Sequence, residues 1–193
     1  MPSAFLIDNL LLGAGLAMDA FSVSVANGLH DPGMRPAQRF RIAGVFAFFQ
    51  FLMPVLGWLG VHGIVSAFSA FSRAVPWIAL LLLGFIGGKM VWEGLRGSEE
   101  QENLASLSWS ALLLQGVATS IDALSAGFAS AEYSFGQSLL SGLIIAAVTL
   151  ALCLIGVRAG QKAGQHLTRW SSVLGGLILI GIGIKTFIEG VFL

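Results

Sequence analysis

Met18-Asp19-Ala20-Phe21-Ser22 and Ile121-Asp122-Ala123-Leu124-Ser125 repeat one pattern 103 residues apart, and each lies deep inside a long apolar stretch. Asp19 falls about fourteen residues into its stretch and Asp122 about fifteen, which is near the middle of a bilayer at a rise of about 1.5 Å per residue. A charged side chain there costs about 2.5–3.5 kcal/mol even on the lenient insertion scale. Carboxylates held at matching places against that cost are functional candidates that face a polar interior. The alternative is a packing role, in which each Asp hydrogen-bonds to a Ser or Thr of a neighbouring helix.

The surroundings of the two motifs make the chain a membrane protein. Of its 193 residues, 56% are hydrophobic and 10% charged, with a mean hydropathy of +0.86. A soluble domain carries about 25% charged residues. The 25 glycines suit closely packed membrane helices. Ten basic and ten acidic residues cancel, which excludes the basic excess of a nucleic-acid binder. Cys153 is the one cysteine, so an internal disulfide, a cysteine-rich metal centre and a dithiol carrier are all excluded.

A hydrocarbon core about 30 Å thick takes about 20 apolar residues per helix. Six stretches qualify: 5–28, 40–61, 75–95, 107–129, 136–157 and 171–192. The first lacks a basic leader and carries Asp8 and Asp19, unlike a cleavable signal peptide. Arg35, Arg39, Arg41, Arg96, Arg158, Lys162 and Arg169 fall in the loops of one side, against Arg73 on the other. The positive-inside rule therefore places both termini outside the cytoplasm.

A second motif also repeats. Gly87-Gly88-Lys89-Met90-Val91-Trp92-Glu93-Gly94 in the third stretch matches Gly183-Ile184-Lys185-Thr186-Phe187-Ile188-Glu189-Gly190 in the sixth, 96 residues on. Gln50 in the second falls near Thr149 in the fifth. Three spans per half is an odd number, so the second half enters the membrane with opposite orientation. The expected fold is an all-α integral membrane protein, six transmembrane helices forming two inverted three-helix repeats. Residues 1–97 make the first repeat, 98–106 an acidic cytoplasmic linker and 107–193 the second repeat. Secondary transporters use this architecture and place their sites near the midplane between the repeats.

Gln115, Thr119, Asp122 and Ser125 recur at helical steps, which predicts an oxygen-bearing face on the fourth span. Gly15, Asp19, Ser22 and Ala26 make the matching stripe on the first. Asp19 and Asp122 are the expected metal ligands, with Ser22, Gln50, Gln115, Thr119 and Ser125 as accessory ligands or path. Oxygen donors without clustered histidine or cysteine favour a hard divalent cation such as Mn²⁺, Mg²⁺ or Ca²⁺. Met18 points away from Asp19 on a helix and is expected to pack.

Lys89 with Glu93, and Lys185 with Glu189, are i,i+4 pairs. They read as gates or proton-exchanging groups, or equally as helix-end ion pairs with a snorkelling lysine. Asp8 and Glu132 near the outer ends, and Glu99, Glu100 and Glu102 in the linker, read as solvated ends or as an acidic approach for cations.

Gly15-Leu16-Ala17-Met18-Asp19-Ala20-Phe21-Ser22-Val23-Ser24 and Ala118-Thr119-Ser120-Ile121-Asp122-Ala123-Leu124-Ser125 resemble the two repeat signatures of the manganese efflux pump (MntP) family. Gly88 through Gly94 is similar to its third-helix signature, and Gln50, Met53-Pro54 and Gly57-Trp58 to its second. The resemblance covers nearly the whole chain. It implies Mn²⁺ export from the bacterial cytoplasm across the plasma (inner) membrane, in a fold akin to the lysine exporter superfamily, and it maps the essential acids onto Asp19 and Asp122. Some members of that family have Glu where this chain has Gln50; an amide can coordinate through oxygen but cannot exchange a proton.

With no G-x-x-x-x-G-K-[ST] motif, a gradient must supply the energy, and no cofactor is expected besides the transported ion. Protonating the aspartates would weaken metal binding, which suits proton exchange. Two other readings compete. Export of another divalent cation or of an amino acid is one. An intramembrane aspartyl protease is the other, but those enzymes carry Tyr-Asp and Gly-x-Gly-Asp contexts that this chain lacks.

Overall fold

The computed structural model describes residues 2–63, 77, 80–81, 83–89, 91–92, 95, 108–167 and 171–192, and their regular structure is all helical. Six helices can be bounded: α1 Pro2–His30, α2 Pro36–Gly63, α3 Trp109–Ala118, α4 Ile121–Ala129, α5 Phe135–Leu167 and α6 Ser171–Phe192. Residues 83–89 are also helical. Residues 75–76, 78–79, 82, 90 and 93–94 of the expected third span, and the whole expected linker with Glu99, Glu100 and Glu102, lie outside the described residues.

Four stretches are long and apolar enough to cross a bilayer: Phe5–His30, Pro36–His62, Trp109–Ala129 and Phe135–Gly164. α6, with 22 residues, takes the place of the expected sixth span and reaches about 33 Å. Large apolar side chains stay on the outside, Leu11 at 68% exposure and Phe85 at 74% among them. In water so much apolar surface would be a liability; in lipid it is the solvated face.

Two expectations are corrected. The fourth span is not one helix: α3 stops at Ala118 and α4 restarts at Ile121. The fifth runs ten residues past its expected end at 157, so Arg158 and Lys162 stand on α5 and not in a loop. A 33-residue helix is about 50 Å long, more than the hydrocarbon core needs. Its last turns remain packed against the turn that follows α1.

Lipid tails are as apolar as leucine, so close backbone approach, not transfer out of water, holds such helices together. The extended α1–α5 contact uses Gly156, Gly160 and Gly164 at four-residue steps. A Cβ at Gly160 would sit 2.1 Å from the Val25 carbonyl oxygen, and one at Gly28 would sit 2.3 Å from that of Val157. α2 and α4 meet in the same way, where a Cβ at Gly127 would lie 2.2 Å from the Pro54 carbonyl oxygen. Gly87 and Gly176 touch reciprocally, each lacking room for a Cβ beside the other's carbonyl.

The helix ends are tied across the molecule. Gln161 Nε2 donates to the carbonyls of Pro32 and Met34 in the turn after α1, at 3.2 and 3.1 Å. Trp58 Nε1 of α2 donates to the Tyr133 carbonyl after α4, at 2.8 Å. Between these ends lies a core of Val23, Ile42, Phe46, Leu112 and Leu179. A second cluster, Leu16, Met53, Ala123, Leu124 and Ile145, packs beside the aspartate motifs.

Candidate cation site at the helix break

The break between α3 and α4 falls on Thr119-Ser120, two residues before Asp122 in the case of Ser120. Both hydroxyls turn back onto the end of α3. Thr119 Oγ1 donates to the Gln115 carbonyl at 2.9 Å, and Ser120 Oγ to that of Gly116 at 2.8 Å. Hydroxyls bonded to carbonyls of the preceding turn compete with helix continuation. Ala123 N–H, whose helical acceptor would be the Thr119 carbonyl, donates to Asp122 Oδ1 at 2.9 Å. The end of α3 thus presents carbonyl oxygens, the negative end of its dipole, beside an acidic side chain.

Gln50 fills the place that this opening leaves. It is fully buried on α2, and its Nε2 donates to the Thr119 carbonyl and to the Leu16 carbonyl of α1, both at 3.0 Å. Because both partners are acceptors, the orientation of the amide is fixed. Leu16 and Thr119 each precede a motif aspartate by three residues. One amide nitrogen therefore bonds the same position of both motifs. Gln50 Oε1 is buried without a hydrogen-bond partner, which leaves an acceptor free beside the motifs.

Asp19 does not stand alone. Lys185 Nζ of α6 lies 2.8 Å from Asp19 Oδ1, with the carboxyl 14% and the lysine 51% exposed. Asp122 interacts electrostatically with both Asp19 and Lys185. Two carboxylates and one ammonium, from α1, α4 and α6, thus share one region. Lys185, expected to pair with Glu189, has its ammonium on Asp19; the Glu189 side chain and Glu93 lie outside the described residues. Lys89 is helical and exposed.

The accessory residues divide. Thr119, Gln115 and Gln50 are buried, whereas Asp122 and Ser125 are exposed, so the predicted oxygen-bearing face is buried before the gap and exposed after it. Gln115 pairs with Asn27 of α1, Asn27 Nδ2 donating to Gln115 Oε1 at 2.9 Å. Ser22 Oγ donates to the Met18 carbonyl at 2.9 Å, inside its own helix, and Met18 itself is 53% exposed. Asn27 is the polar residue that the sequence reading missed. Its signal was present, because Asp19, Val23 and Asn27 follow at four-residue steps on one side of α1.

Among the described residues, no three His, Cys, Asp or Glu side chains come together as a metal cluster. A divalent cation held by Asp19 and Asp122 would take its other ligands from neutral oxygens: the unpartnered Gln50 Oε1, backbone carbonyls at the break, and water. That donor set suits hard cations.

A family model described as "Putative manganese efflux pump" matches residues 33–187. A protein of Methanosarcina mazei named "Putative manganese efflux pump MntP" is 43% identical over 187 residues, covering 95% of this chain and 96% of the relative. One of the same name from Methanosarcina acetivorans is 42% identical with the same coverage. "Putative manganese efflux pump MntP 2" of Clostridium botulinum is 36% identical over 198 residues, covering 95% and 94%. No solved structure matches the chain.

Proposed function

The chain belongs to the manganese efflux pump family, and from that premise we propose that it exports Mn²⁺ from the cytoplasm by alternating access through one polar centre shared by its two halves. As a member of a transporter family it is not an enzyme, which sets the aspartyl-protease reading aside. It is a multi-pass membrane protein. The proposed setting is the plasma (inner) membrane with both termini outside the cytoplasm, as the arginine distribution implies.

The observation that carries the proposal is the Gln50 bridge. One Nε2 joins the Leu16 and Thr119 carbonyls, which occupy the same position in the two aspartate motifs. A single donor reaching equivalent carbonyls of two helices is what a pseudo-two-fold axis between inverted repeats would require. Helix contacts agree with it. A Cβ at Gly13 would meet Val148, and one at Gly116 would meet Phe49. Gly13 and Gly116 differ by the 103-residue motif offset, while Phe49 and Val148 flank the matched pair Gln50 and Thr149.

In this reading the Asp19–Lys185 pair is the metal-free state. The ammonium occupies a carboxylate that a divalent cation would claim, so the empty carrier crosses the membrane with one of its two carboxylates already neutralised. An ion arriving from the cytoplasm gives up part of its water to Asp19, Asp122 and Gln50 Oε1 and displaces Lys185. Rocking of the halves opens the centre outward. Lysine re-pairing, together with protonation from an opposing proton gradient, releases the metal.

Mn²⁺ flux into proteoliposomes under an imposed pH gradient tests the function. Gradient-dependent Mn²⁺ movement in the native protein, lost in Asp19→Asn and Asp122→Asn, is the expected result. Native protein that moves lysine or Ca²⁺ but not Mn²⁺ would replace the substrate. Flux equal in all three proteins would remove the site.

A further inference from the structure

A cavity of about 470 Å³ lies where the turn after α1 meets the start of α2 and the late turns of α5, far along α1 from Asp19. Arg39, Arg158 and Lys162 line it, with the Pro32-Gly33-Met34 turn and Gln161, and no carboxylate is among these residues. Among the described residues none of the three cations forms an ion pair with an acid. Arg39 Nε is buried without a hydrogen-bond partner, a donor held out of water with nothing to receive it.

The neighbouring charges are already engaged. Asp31 accepts from the Gly33 N–H and faces His30, and burial raises its pKa above the usual carboxylate range. Arg41, two residues beyond Arg39, stacks its guanidinium 5.1 Å over the Trp109 ring. The wall is firm because Gln161 Nε2 bonds both Pro32 and Met34 carbonyls. The positive end of the α2 dipole, at Pro36, lies on the same side.

We propose that this cavity binds a phosphoryl anion. Three cations line it with no carboxylate among the lining residues, and the volume exceeds what a bare halide needs. The cavity sits at the end of a membrane-crossing helix, on the side that the arginine count assigns to the cytoplasm. That is the depth of lipid phosphates, and basic pockets between helices at this level take acidic headgroups. An acidic phospholipid and free phosphate offer the same chemistry, and the experiment separates them.

The full chain, delipidated in a neutral detergent, is titrated with phosphatidylglycerol, phosphatidylcholine or inorganic phosphate while its thermal unfolding midpoint is followed. Phosphatidylglycerol should raise the midpoint saturably and phosphatidylcholine should not. Arg158→Gln and Lys162→Gln, both at exposed positions, should each weaken that affinity about fivefold. Arg39→Gln should do the same where it folds, and Arg35→Gln, outside the cavity, should leave it unchanged. A saturable rise with inorganic phosphate that the same substitutions weaken also upholds the anion site and makes its ligand the free ion. Equal responses to the two lipids with none to phosphate, or an Arg35→Gln loss as large as the others, would overturn the proposal.

Discussion

α1 and the α3–α4 pair carry the same aspartate motif to the same centre, yet one runs unbroken from Pro2 to His30 and the other stops two residues short of its restart. The residues at the gap explain the difference. Thr119-Ser120 stand where α1 has Leu16-Ala17. Leucine and alanine favour a helix interior, while paired hydroxyls offer the preceding carbonyls a second donor. A break inside a bilayer is tolerated only where the freed groups find partners in the protein or a wet cavity. Here Gln50 takes the Thr119 carbonyl, Asp122 takes the Ala123 N–H, and the two hydroxyls cap α3.

The second helices differ in the complementary way. Thr149 of α5 donates only to the Ile145 carbonyl of its own helix, at 2.9 Å. Gln50, its counterpart, reaches two other helices. The two motif regions are therefore alike in sequence and unlike in backbone.

The sharpest way to break this comparison is to remove one acid at a time. Asp19→Asn and Asp122→Asn should each lower Mn²⁺ flux by more than about 100-fold, since even outer-shell partners of a metal account for 10–100-fold. The double variant should be no worse than either single, as the proposed shared site requires. Losses that multiply would mean two independent sites.

Lys185→Gln sharpens it next. Without the internal ammonium on Asp19, equilibrium Mn²⁺ affinity should rise about tenfold, equal to about 1.4 kcal/mol, while turnover falls because the empty carrier returns with one more unpaired charge. Unchanged affinity would make the pair a structural tie.

Gln50→Leu should destabilise the detergent-solubilised chain by about 2–3 kcal/mol, from two hydrogen bonds at about 0.5–1.5 kcal/mol each and a stranded Thr119 carbonyl. Thr149→Val should cost under about 1 kcal/mol, having one local bond to lose. Similar thermal unfolding midpoints for the two would dissolve the contrast between the halves.

The glycine contacts supply a smaller effect. Gly127→Ala and Gly160→Ala push a methyl against carbonyl oxygens and should each cost about 1–3 kcal/mol. Gly15→Ala, with nothing within 4 Å of its Cβ, should be neutral or slightly stabilising.

The smallest effect lies outside the membrane. Burial raises the Asp31 pKa, so the folded chain holds this proton more tightly than the unfolded one, and stability falls as pH rises from the unfolded carboxylate value through the raised one. Asp31→Asn should flatten that slope in a pH series of unfolding midpoints. An unchanged slope would assign it to other groups.

Much of this was legible in the sequence. Long apolar stretches and their charged ends located the helices, and the repeated Asp19 and Asp122 motifs singled out the acids that the structure brings into one region with Lys185. The break was not legible, because Thr119-Ser120 contains neither Gly nor Pro and fits an unbroken helix when only spacing is read. The ten extra residues of α5 were not legible either: past residue 157 hydropathy falls, but Gly156, Gly160 and Gly164 keep the helix packed on α1. Lys185 offered Glu189 as a partner at helical distance; Asp19, 166 residues away, is found only once α1 and α6 are side by side.

The central claim is one cation centre built by both halves. It is met most directly by counting Mn²⁺ bound to the purified chain at saturation, native and with Asp19→Asn or Asp122→Asn. The account predicts one ion per chain at that centre, lost in either variant. Two ions per chain, each removed by only one of the substitutions, would contradict it.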